Sequence, residues 1–379
     1  MAETEDNIGL RSLVDSEGYL QLHLVAEPVR EPKDDEVVIR VEASPLNPTD
    51  QFTLIGPADV TAGTSSGEGI DRIYRAPLKK TASLTVALRM GKSLKSGTEG
   101  AGTVVKAGAS PLAQALLGKT VAAMDGALYC RYRTLKAAQC LPLPAGVSAR
   151  EGAACFVNPL TALGFIETVK RDGYRAMIHT AAASNLGQML VKLCDMEGIG
   201  LINIVRSEKQ VQLLKSIGAR HVLNSGDADF CDSLLPLIKQ MEAYTVYDAI
   251  GGGDLLGTIV TCMEAAALSD DKRQNPYGSD VMKRAYVYGN LDTSPTILTR
   301  NFGFNWSVSS WLLLTFLGSI DQKTRLEMNN RVLKGLTTIF ASHYTKEISL
   351  SDVLEADIVS CYSQLSTGEK YLVNPTLPL

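Results

Sequence analysis

Strand-like and helical segments alternate along residues 170–300, and this alternation limits the folds open to the chain more than any other feature. Each of the first four strand-like segments is followed by a segment with apolar residues at helical intervals. Strands that alternate with helices of this length form βαβ units with parallel strands. We therefore predict a doubly wound α/β domain. Its predicted strands are AMIHTAAA, LINIVR, HVLN, YTVYDAIGGG and, as the last, RAYVYGN.

The residues before about 145 have a different pattern, of short strands bounded by glycine and proline. LQLHLVAEPV and EVVIRVEASP alternate, and we interpret them as paired strands. Residues 56–97 have weak periodicity and read as an insertion with one amphipathic piece, TASLTVALRM. Ser148 and Glu151 then form a capping-box pattern ahead of a helical segment. This half of the chain is predicted to be a β-rich domain.

The composition excludes several classes of protein. The 37 Lys and Arg residues against 41 Asp and Glu give a formal charge of −4, without the basic excess of a nucleic-acid partner. The N-terminus is acidic and lacks the apolar core of a secretory signal. The longest apolar stretch, around residues 308–317, is interrupted by serines and is too short to span a bilayer. We interpret it as a buried helix and expect no membrane partner.

The spacing of the cysteines and histidines does not match that of a disulfide framework or of a metal site. The seven cysteines form no CxxC pair, and none of the four histidines lies within four residues of a cysteine or another histidine. No metal site is predicted from these spacings. Scattered, reduced thiols are typical of a cytoplasmic protein, which is the expected location.

The first strand–helix turn of the α/β domain, TAAASNLGQ, is the candidate phosphate-binding turn. A dinucleotide site needs small residues here so that backbone amides at the helix N-terminus can approach the pyrophosphate. The full GxGxxG pattern is absent, and Asn185 is a residue that tolerates left-handed backbone. The alternative is a turn without a ligand. The predicted cofactor contacts are Ala183, Ser184, Asn185, Leu186 and Gly187.

The end of the second strand suggests which dinucleotide binds. NAD sites place an acidic residue there for the ribose diol, whereas NADP sites offer a cation for the 2′-phosphate. Arg206 has this cationic character and Lys209 adds a second charge, while Glu208 is discordant. We predict NADP(H); the alternative is a solvated helix start.

Two later segments end predicted strands with glycine, where open α/β sheets bind ligands. They are Ile250–Gly251 and Tyr288–Gly289, and we predict cofactor contacts from all four residues. The alternative is a pair of bare turns.

Five motifs in order resemble a known family. They are NPTD (47–50), GTEGAG (97–102), NPLTA (158–162), IGARHVLN (217–224) and DAIGG (248–252). The chain resembles the zinc-independent medium-chain dehydrogenase/reductases of the quinone oxidoreductase type. This resemblance implies an α/β protein with a GroES-like β-rich domain, split in sequence, and a Rossmann domain, with the active site between them.

The resemblance also implies domain boundaries and residue roles. The GroES-like catalytic domain would cover 1–165, with the insertion 56–97, the Rossmann domain 166–305, and the return to the catalytic domain 306–379. The catalytic residues would be Thr161, near the nicotinamide, and Asn47, near the acceptor and donating a hydrogen bond to a carbonyl oxygen. Both are also counted as cofactor contacts. Asn224 and Phe304 would complete the cofactor contacts, with Phe304 in the loop that holds the nicotinamide amide.

The departures from the family pattern bear on metal and substrate. Zinc-dependent relatives have a cysteine near NPTD and a histidine in GTEG, but this chain has no cysteine from 1 to 129 and has Thr98 at that position. Without a metal, Asp50 reads as a turn or cap residue and Glu99 as structural. The turn around Ser184 is similar to that of mitochondrial enoyl thioester reductases, whose tyrosine has no counterpart in 51–58.

The leading functional hypothesis is hydride transfer from NADPH to a small-molecule electron acceptor, a quinone or an α,β-unsaturated carbonyl. The alternatives are a 2-enoyl thioester reductase and a non-catalytic NADPH-binding protein. Trp306 and Trp311 either wall an apolar acceptor pocket or pack in the core. By resemblance the protein would be a homodimer.

Overall fold

The chain forms two compact units. A computed structural model describes residues 6–79, 83–269, 274–364 and 370–379. The first unit consists of Met1–Phe156 and Ala341–Leu379, and the second of Val157–Phe340. Each unit has its own hydrophobic core.

The strands of the described residues, in chain order, are β1 (Asn7–Val14), β2 (Tyr19–Glu27), β3 (Glu36–Pro45), β4 (Thr64–Ser66), β5 (Ile73–Pro77), β6 (Leu94–Lys95), β7 (Glu99–Ala107), β8 (Thr120–Met124), β9 (Tyr132–Lys136), β10 (Cys140–Pro142), β11 (Ala176–His179), β12 (Gly200–Val205), β13 (His221–Asn224), β14 (Thr245–Asp248), β15 (Gly251–Gly253), β16 (Gln274–Asn275), β17 (Gly278–Ser279), β18 (Lys283–Val287), β19 (Asp292–Thr296), β20 (Trp306–Ser310), β21 (Lys346–Ile348) and β22 (Tyr371–Val373).

The α-helices of the same residues are α1 (Asp50–Leu54), α2 (Ser83–Arg89), α3 (Pro111–Leu116), α4 (Ala149–Gly152), α5 (Val157–Arg171), α6 (Asn185–Glu197), α7 (Glu208–Ser216), α8 (Phe230–Met241), α9 (Leu255–Leu268), α10 (Leu313–Ser319), α11 (Gln322–Gly335) and α12 (Ala356–Ser363). The predicted capping box is confirmed, because Ser148 and Glu151 cap α4 reciprocally.

The second unit is built on a parallel sheet. Its strand order is β13-β12-β11-β14-β18-β20, and every pairing in it is parallel. The order runs outward in both directions from β11, which is the doubly wound arrangement of dinucleotide-binding domains. The predicted Rossmann domain is therefore confirmed. The apolar run of β12 is buried because helices cover both faces of such a sheet.

The first unit is β-rich and holds two sheets, with strand orders β4-β5-β2-β1-β6 and β10-β8-β7-β3-β22-β21; β9 also pairs with β3. The final strands return to this unit: β22 pairs with β3, and β21 pairs with β22. The predicted pairing of the two alternating segments is wrong, since β2 and β3 lie in different sheets. Alternation shows which face of a strand is buried, but it does not identify the neighbouring strand.

The predicted insertion 56–97 is largely part of the first sheet. Its strand β5 pairs with β2, and β6 pairs with β1 through Ser12 and Leu94. Residues 80–82 of this stretch lie outside the described residues. Of the amphipathic piece, Ser83–Arg89 form α2.

The two units differ from the predicted domains at both boundaries. Helix α5 begins at Val157 and packs against α6, α10 and α11, so 157–165 belong to the second unit. The segment 306–340 also belongs there, because β20 pairs with β18 as one more parallel strand beyond the predicted last one. The expected buried helix at 308–317 is therefore wrong: its first residues form strand β20, and α10 starts at Leu313.

One stretch, Ala149–Arg171, has the length and apolar composition of a membrane-crossing helix. However, 83% of its most apolar 18-residue window is buried inside the protein. Core helices of globular proteins have the same character, so this stretch is weak evidence for a span.

Candidate functional site

The turn between β11 and α6 has the form of a phosphate-binding turn. β11 ends at His179, and Ser184 caps α6 by accepting a hydrogen bond from the Gly187 N–H, 3.2 Å long. Ala183 is buried, and Leu186 is nearly so. The helix N-terminus thus begins immediately beyond the carboxyl end of the central strand, where backbone N–H groups attract anions.

Gly187 is needed for close packing of this turn. A Cβ at this position would collide with the backbone of Ala182, including its carbonyl oxygen. The left-handed residue of the turn is Ala181, at φ 49°, rather than Asn185, which is the first helical residue of α6. The tolerance of asparagine for left-handed backbone is therefore not used at Asn185, because the chain turns before the helix cap.

A buried carboxylate fixes the neighbouring loop after β14. Asp248 accepts a hydrogen bond of 2.6 Å from the Thr180 hydroxyl, and it also accepts from the backbone N–H groups of Ile250 (3.1 Å) and Gly251 (2.9 Å). The Ala249 N–H donates to Thr180 at 2.9 Å. Thr180 thus ties the β11 turn to the 249–251 loop.

The loop after β18 packs on the same region. A Cβ on Gly289 would meet the backbone of Ala249, and the Leu291 N–H donates to the Ala249 carbonyl at 3.2 Å. The structure therefore brings Ile250, Gly251, Tyr288 and Gly289 together at the carboxyl edge of the sheet, as predicted from their positions at strand ends.

The Tyr288 hydroxyl points into the protein interior. It lies 2.7 Å from Nε2 of His179, a fully buried residue at the end of β11. Burial lowers the pKa of His179 to about 3, so its imidazole is neutral at physiological pH. Burial also raises the pKa of Tyr288 above its ordinary value. The Tyr288 hydroxyl is therefore already hydrogen-bonded within the protein.

Arg206 and Lys209 lie just beyond the carboxyl end of β12, next to the β11 turn. Both side chains are exposed, and neither forms an ion pair with a carboxylate in the part of the chain that the structure describes. Glu208, the discordant carboxylate, accepts a hydrogen bond from Gln212 on the same helix. The cationic character predicted from the sequence is thus available to a ligand.

Asn224 ends β13, one strand further out. Its side-chain amide donates to Asp227 at 2.7 Å and its carbonyl accepts from the Gly226 N–H at 3.2 Å. Both ends of the side chain are therefore used to close a turn.

The structure does not bring Phe304 together with the other predicted cofactor residues. It precedes β20, whose first residue pairs with Lys283 at the start of β18, so it lies at the amino edge of the sheet. The predicted nicotinamide contact of Phe304 is wrong, because β20 begins after this loop and the sheet separates it from Tyr288. Its ring is 83% exposed and contacts Tyr277 edge to face.

A buried ion pair fixes this amino-edge loop. Lys283 pairs with Glu264 of α9, and Ser279 donates to the same carboxylate. Burial raises the pKa of Glu264, but hydrogen bonds from Lys283 and Ser279 outweigh it, so the net pKa lies below its ordinary value.

The two tryptophans are packing residues in the second unit. Trp311 packs edge to face on Phe165, 4.7 Å between ring centroids, and donates to the Thr168 hydroxyl at 3.1 Å. Trp306 packs edge to face on the buried Phe302. Both therefore contribute to the core.

Thr161 lies in the second turn of α5 and is 7% exposed. Its hydroxyl donates to the carbonyl of Val157 at 2.6 Å. With its proton used inside the helix, this hydroxyl can only accept a hydrogen bond from a ligand.

Asn47 lies within a buried polar cluster of the first unit. Its side-chain amide donates to Glu99 at 2.9 Å, and its backbone N–H donates to Asp50 at 2.9 Å. Asp50 also accepts from the backbone and the hydroxyl of Thr98, each at 2.7 Å. Burial raises the pKa of Asp50. The turn role predicted for Asp50 is confirmed.

Comparison with known proteins found relatives named as quinone oxidoreductases and as enoyl reductases. A protein of Leishmania amazonensis named as a quinone oxidoreductase is 34% identical over 160 residues, 41% of this chain and 45% of that protein. The mitochondrial enoyl-[acyl-carrier-protein] reductase of Xenopus tropicalis is 26% identical over 204 residues, 52% of this chain and 49% of that protein. The chain thus spans about half the length of these curated relatives. No family profile matches the sequence.

Among solved structures, a Mesorhizobium loti protein provisionally named as an NADPH:quinone reductase superposes with a TM-score of 0.72. It is 25% identical, and the match covers 99% of this chain and 100% of that one. The chain is similar in sequence and in fold to medium-chain dehydrogenase/reductases of the quinone oxidoreductase type. The fold class predicted from the five motifs is confirmed.

Thr98, at the position of the histidine of zinc-dependent relatives, lies in the hydrogen-bonded network of Asp50. Thr98 donates to Asp50 instead of offering an imidazole. Among the described residues, no group of three or more His, Cys, Asp or Glu side chains is placed to hold a metal ion.

Sequence reasoning missed two polar residues that are buried or hydrogen-bonded near the candidate site residues of their own units. Lys370 in the first unit has a buried ammonium without a hydrogen-bond partner in the described ranges, and burial lowers its pKa to about 8 despite Glu99 and Asp50. Thr180 binds Asp248, 68 residues away. For Thr180, the DAIGG motif around its partner Asp248 was the available sequence signal. No sequence pattern pointed to Lys370.

Proposed function

We propose that the protein is an NADPH-dependent reductase of a quinone or an α,β-unsaturated carbonyl. The observation that carries this proposal is Arg206, an exposed cation at the carboxyl end of β12 with no carboxylate partner in the described chain. An arginine at this strand end selects the 2′-phosphate of NADP(H). The names of the relatives from Leishmania and Mesorhizobium support the acceptor class.

The second unit supplies the residues that would hold the cofactor. The N–H groups of the Ser184–Gly187 turn would bind the pyrophosphate, with Arg206 and Lys209 on the 2′-phosphate. The backbone at Ile250, Gly251, Tyr288 and Gly289 would line the path toward the nicotinamide. When bound, NADPH supplies the hydride, so the chain must chiefly orient the reactants and exclude water.

The remaining predicted roles belong to Asn47 and Thr161. We propose that Thr161 contacts the nicotinamide end of the cofactor and that Asn47 lies beside the reacting groups. Neither side chain has an acidic proton to give, so water would protonate the reduced acceptor. We also propose that no zinc takes part, because the Thr98 hydroxyl and the Asp50 carboxylate hydrogen-bond to each other.

A panel of acceptors separates the candidate functions. We expect NADPH oxidation with a quinone or an enone, at a rate that dialysis against a chelator leaves unchanged. Thr161→Val should lower that rate about tenfold or more, because a hydrogen-bond acceptor is lost from the site. Fastest turnover with a 2-enoyl thioester would instead favour the enoyl reductase alternative, which the turn at Ser184–Gly187 and the Xenopus relative support.

The third candidate is a protein that binds NADPH without turning it over. The absence of a carboxylic acid or imidazole among the predicted catalytic residues favours it. Tight NADPH binding combined with no oxidation on any acceptor of the panel would establish this alternative and contradict the reductase proposal.

We propose a homodimer formed along strand β20. This strand ends the sheet order, and the exposed rings of Phe304 and Tyr277 lie beside its amino end. Sedimentation velocity should therefore show a dimer, and Phe304→Asp with Tyr277→Asp should shift it to monomer. Leu326→Asp on α11, also exposed, is the control. A monomeric wild-type protein would contradict the proposal.

We also propose that the protein works in the cytoplasm. All seven cysteines are free thiols in the structure, which suits a reducing compartment. Cell fractionation tests this directly, and recovery with organelles would contradict it.

A further inference from the structure

The orientation of the Asn47 amide is fixed by a buried carboxylate. Glu99 is fully buried, and its Oε1 accepts the hydrogen bond from Nδ2 of Asn47. Its other oxygen accepts from the Phe156 N–H at 2.9 Å. Both carboxylate oxygens of Glu99 therefore act as acceptors, and the NH2 end of the Asn47 amide faces one of them.

A lysine lies close to the buried carboxylate of Glu99. The Lys370 ammonium interacts electrostatically with Glu99 and with Asp50, and its Nζ is buried. An opposite charge in a poorly solvated site stabilises a carboxylate. The Asn47 backbone N–H is held by Asp50 at the same time, so main chain and side chain are both fixed.

The other end of the Asn47 amide remains unused. Asn47 is only 2% exposed, and its Oδ1 is buried without a hydrogen-bond partner in the described part of the chain. A buried carbonyl oxygen without a partner costs free energy, so such groups are regularly paired. This oxygen can accept a hydrogen bond but cannot donate one.

We propose that Glu99 is a positioning residue that holds Asn47 with Oδ1 toward the reacting groups, so that Asn47 binds a hydroxyl or N–H donor. This rests on the proposed function, and it reverses the role predicted from the sequence, donation to a carbonyl oxygen. Two sources carry such a donor: the nicotinamide riboside half of the cofactor, and the O–H of a hydroquinone product.

The test uses Glu99→Gln, since a glutamine at 99 can donate as well as accept and lets the Asn47 amide turn round. The dissociation constants of NADP⁺ and of 2′,5′-ADP, which lacks the nicotinamide riboside, are measured on wild type and variant. Partial unfolding lowers both affinities alike, so their ratio reports the orientation of Asn47. We expect NADP⁺ to bind about tenfold more weakly to the variant, and 2′,5′-ADP within about twofold of wild type.

If the group that donates to Asn47 belongs to the hydroquinone product, the ratio of the NADP⁺ and 2′,5′-ADP dissociation constants is the same in Glu99→Gln as in wild type. Inhibition by a hydroquinone then weakens about tenfold in the variant, while inhibition by its dimethyl ether does not change. Glu264→Gln, at a buried glutamate of the other unit, is the control and should move neither ratio. Asn47→Ala should reproduce the effect of Glu99→Gln.

Two ratios decide the inference: that of the NADP⁺ and 2′,5′-ADP dissociation constants, and that of the inhibition constants of the hydroquinone and its dimethyl ether. The inference is overturned if both stay at the wild-type value in Glu99→Gln and Asn47→Ala. It is also overturned if Glu264→Gln moves them equally, since the effect would then be general destabilisation. Failure of the proposed function is distinguishable, because the wild-type protein would then either bind neither NADP⁺ nor 2′,5′-ADP, or bind both and oxidise no NADPH with any acceptor of the panel.

Discussion

Arg206→Ala is expected to weaken NADPH binding by about 10- to 100-fold and to leave NADH binding within about threefold. The reason is that the side chain lies at the carboxyl end of β12 without a carboxylate partner in the described residues. A charge-assisted hydrogen bond to a phosphate contributes roughly 1.5–3 kcal/mol, and each 1.4 kcal/mol corresponds to about tenfold in affinity. Titration calorimetry with the two cofactors measures the difference.

The matched control for Arg206 is Arg220→Ala. Arg220 is an exposed arginine of the same unit, paired with Asp195 at the amino edge of β13, and its removal should leave both cofactors unaffected. Equal losses of NADPH and NADH affinity in Arg206→Ala would contradict the assignment of the 2′-phosphate to this residue.

Gly187→Ala is expected to lower the free energy of unfolding by about 1–3 kcal/mol and to reduce NADPH affinity at least tenfold. The added methyl group would overlap the Ala182 backbone, so α6 must shift away from the β11 turn. That shift moves the N–H groups proposed to bind the pyrophosphate. Thermal unfolding should show a midpoint lower by roughly 2–4 °C for each kcal/mol lost.

The control is Gly318→Ala, a glycine in α10 with no heavy atom near the position of an added Cβ. Alanine is the better helix former, so this variant should be as stable as wild type or more so, with unchanged NADPH binding. A Gly187→Ala protein with wild-type stability and affinity would show that α6 does not need the close approach.

The sequence predicted the parts of the site that depend on neighbouring residues. The small residues ahead of Gly187, the Ser148 cap and the glycines at strand ends each follow from local backbone requirements, and the structure places them as expected. The parallel strand order also follows from the alternation along residues 170–300, because βαβ connections leave few topologies.

The parts that depend on distant residues were missed or wrong. Thr180 is placed by Asp248, and Asn47 by Glu99, 52 residues away. The family resemblance alone places Phe304 at the cofactor, whereas in the structure it precedes β20 at the amino edge of the sheet. The polarity of the Asn47 amide follows only from which atom faces Glu99, and no pattern in the sequence carries that information.

The most direct test of the reductase assignment is the stoichiometry of NADPH consumed per quinone reduced by the wild-type protein under anaerobic conditions. Hydride transfer predicts one NADPH oxidised per quinone converted to hydroquinone, with little consumption of NADPH when the quinone is left out. NADPH that binds but stays reduced in the presence of quinones, enones and enoyl thioesters would contradict the account.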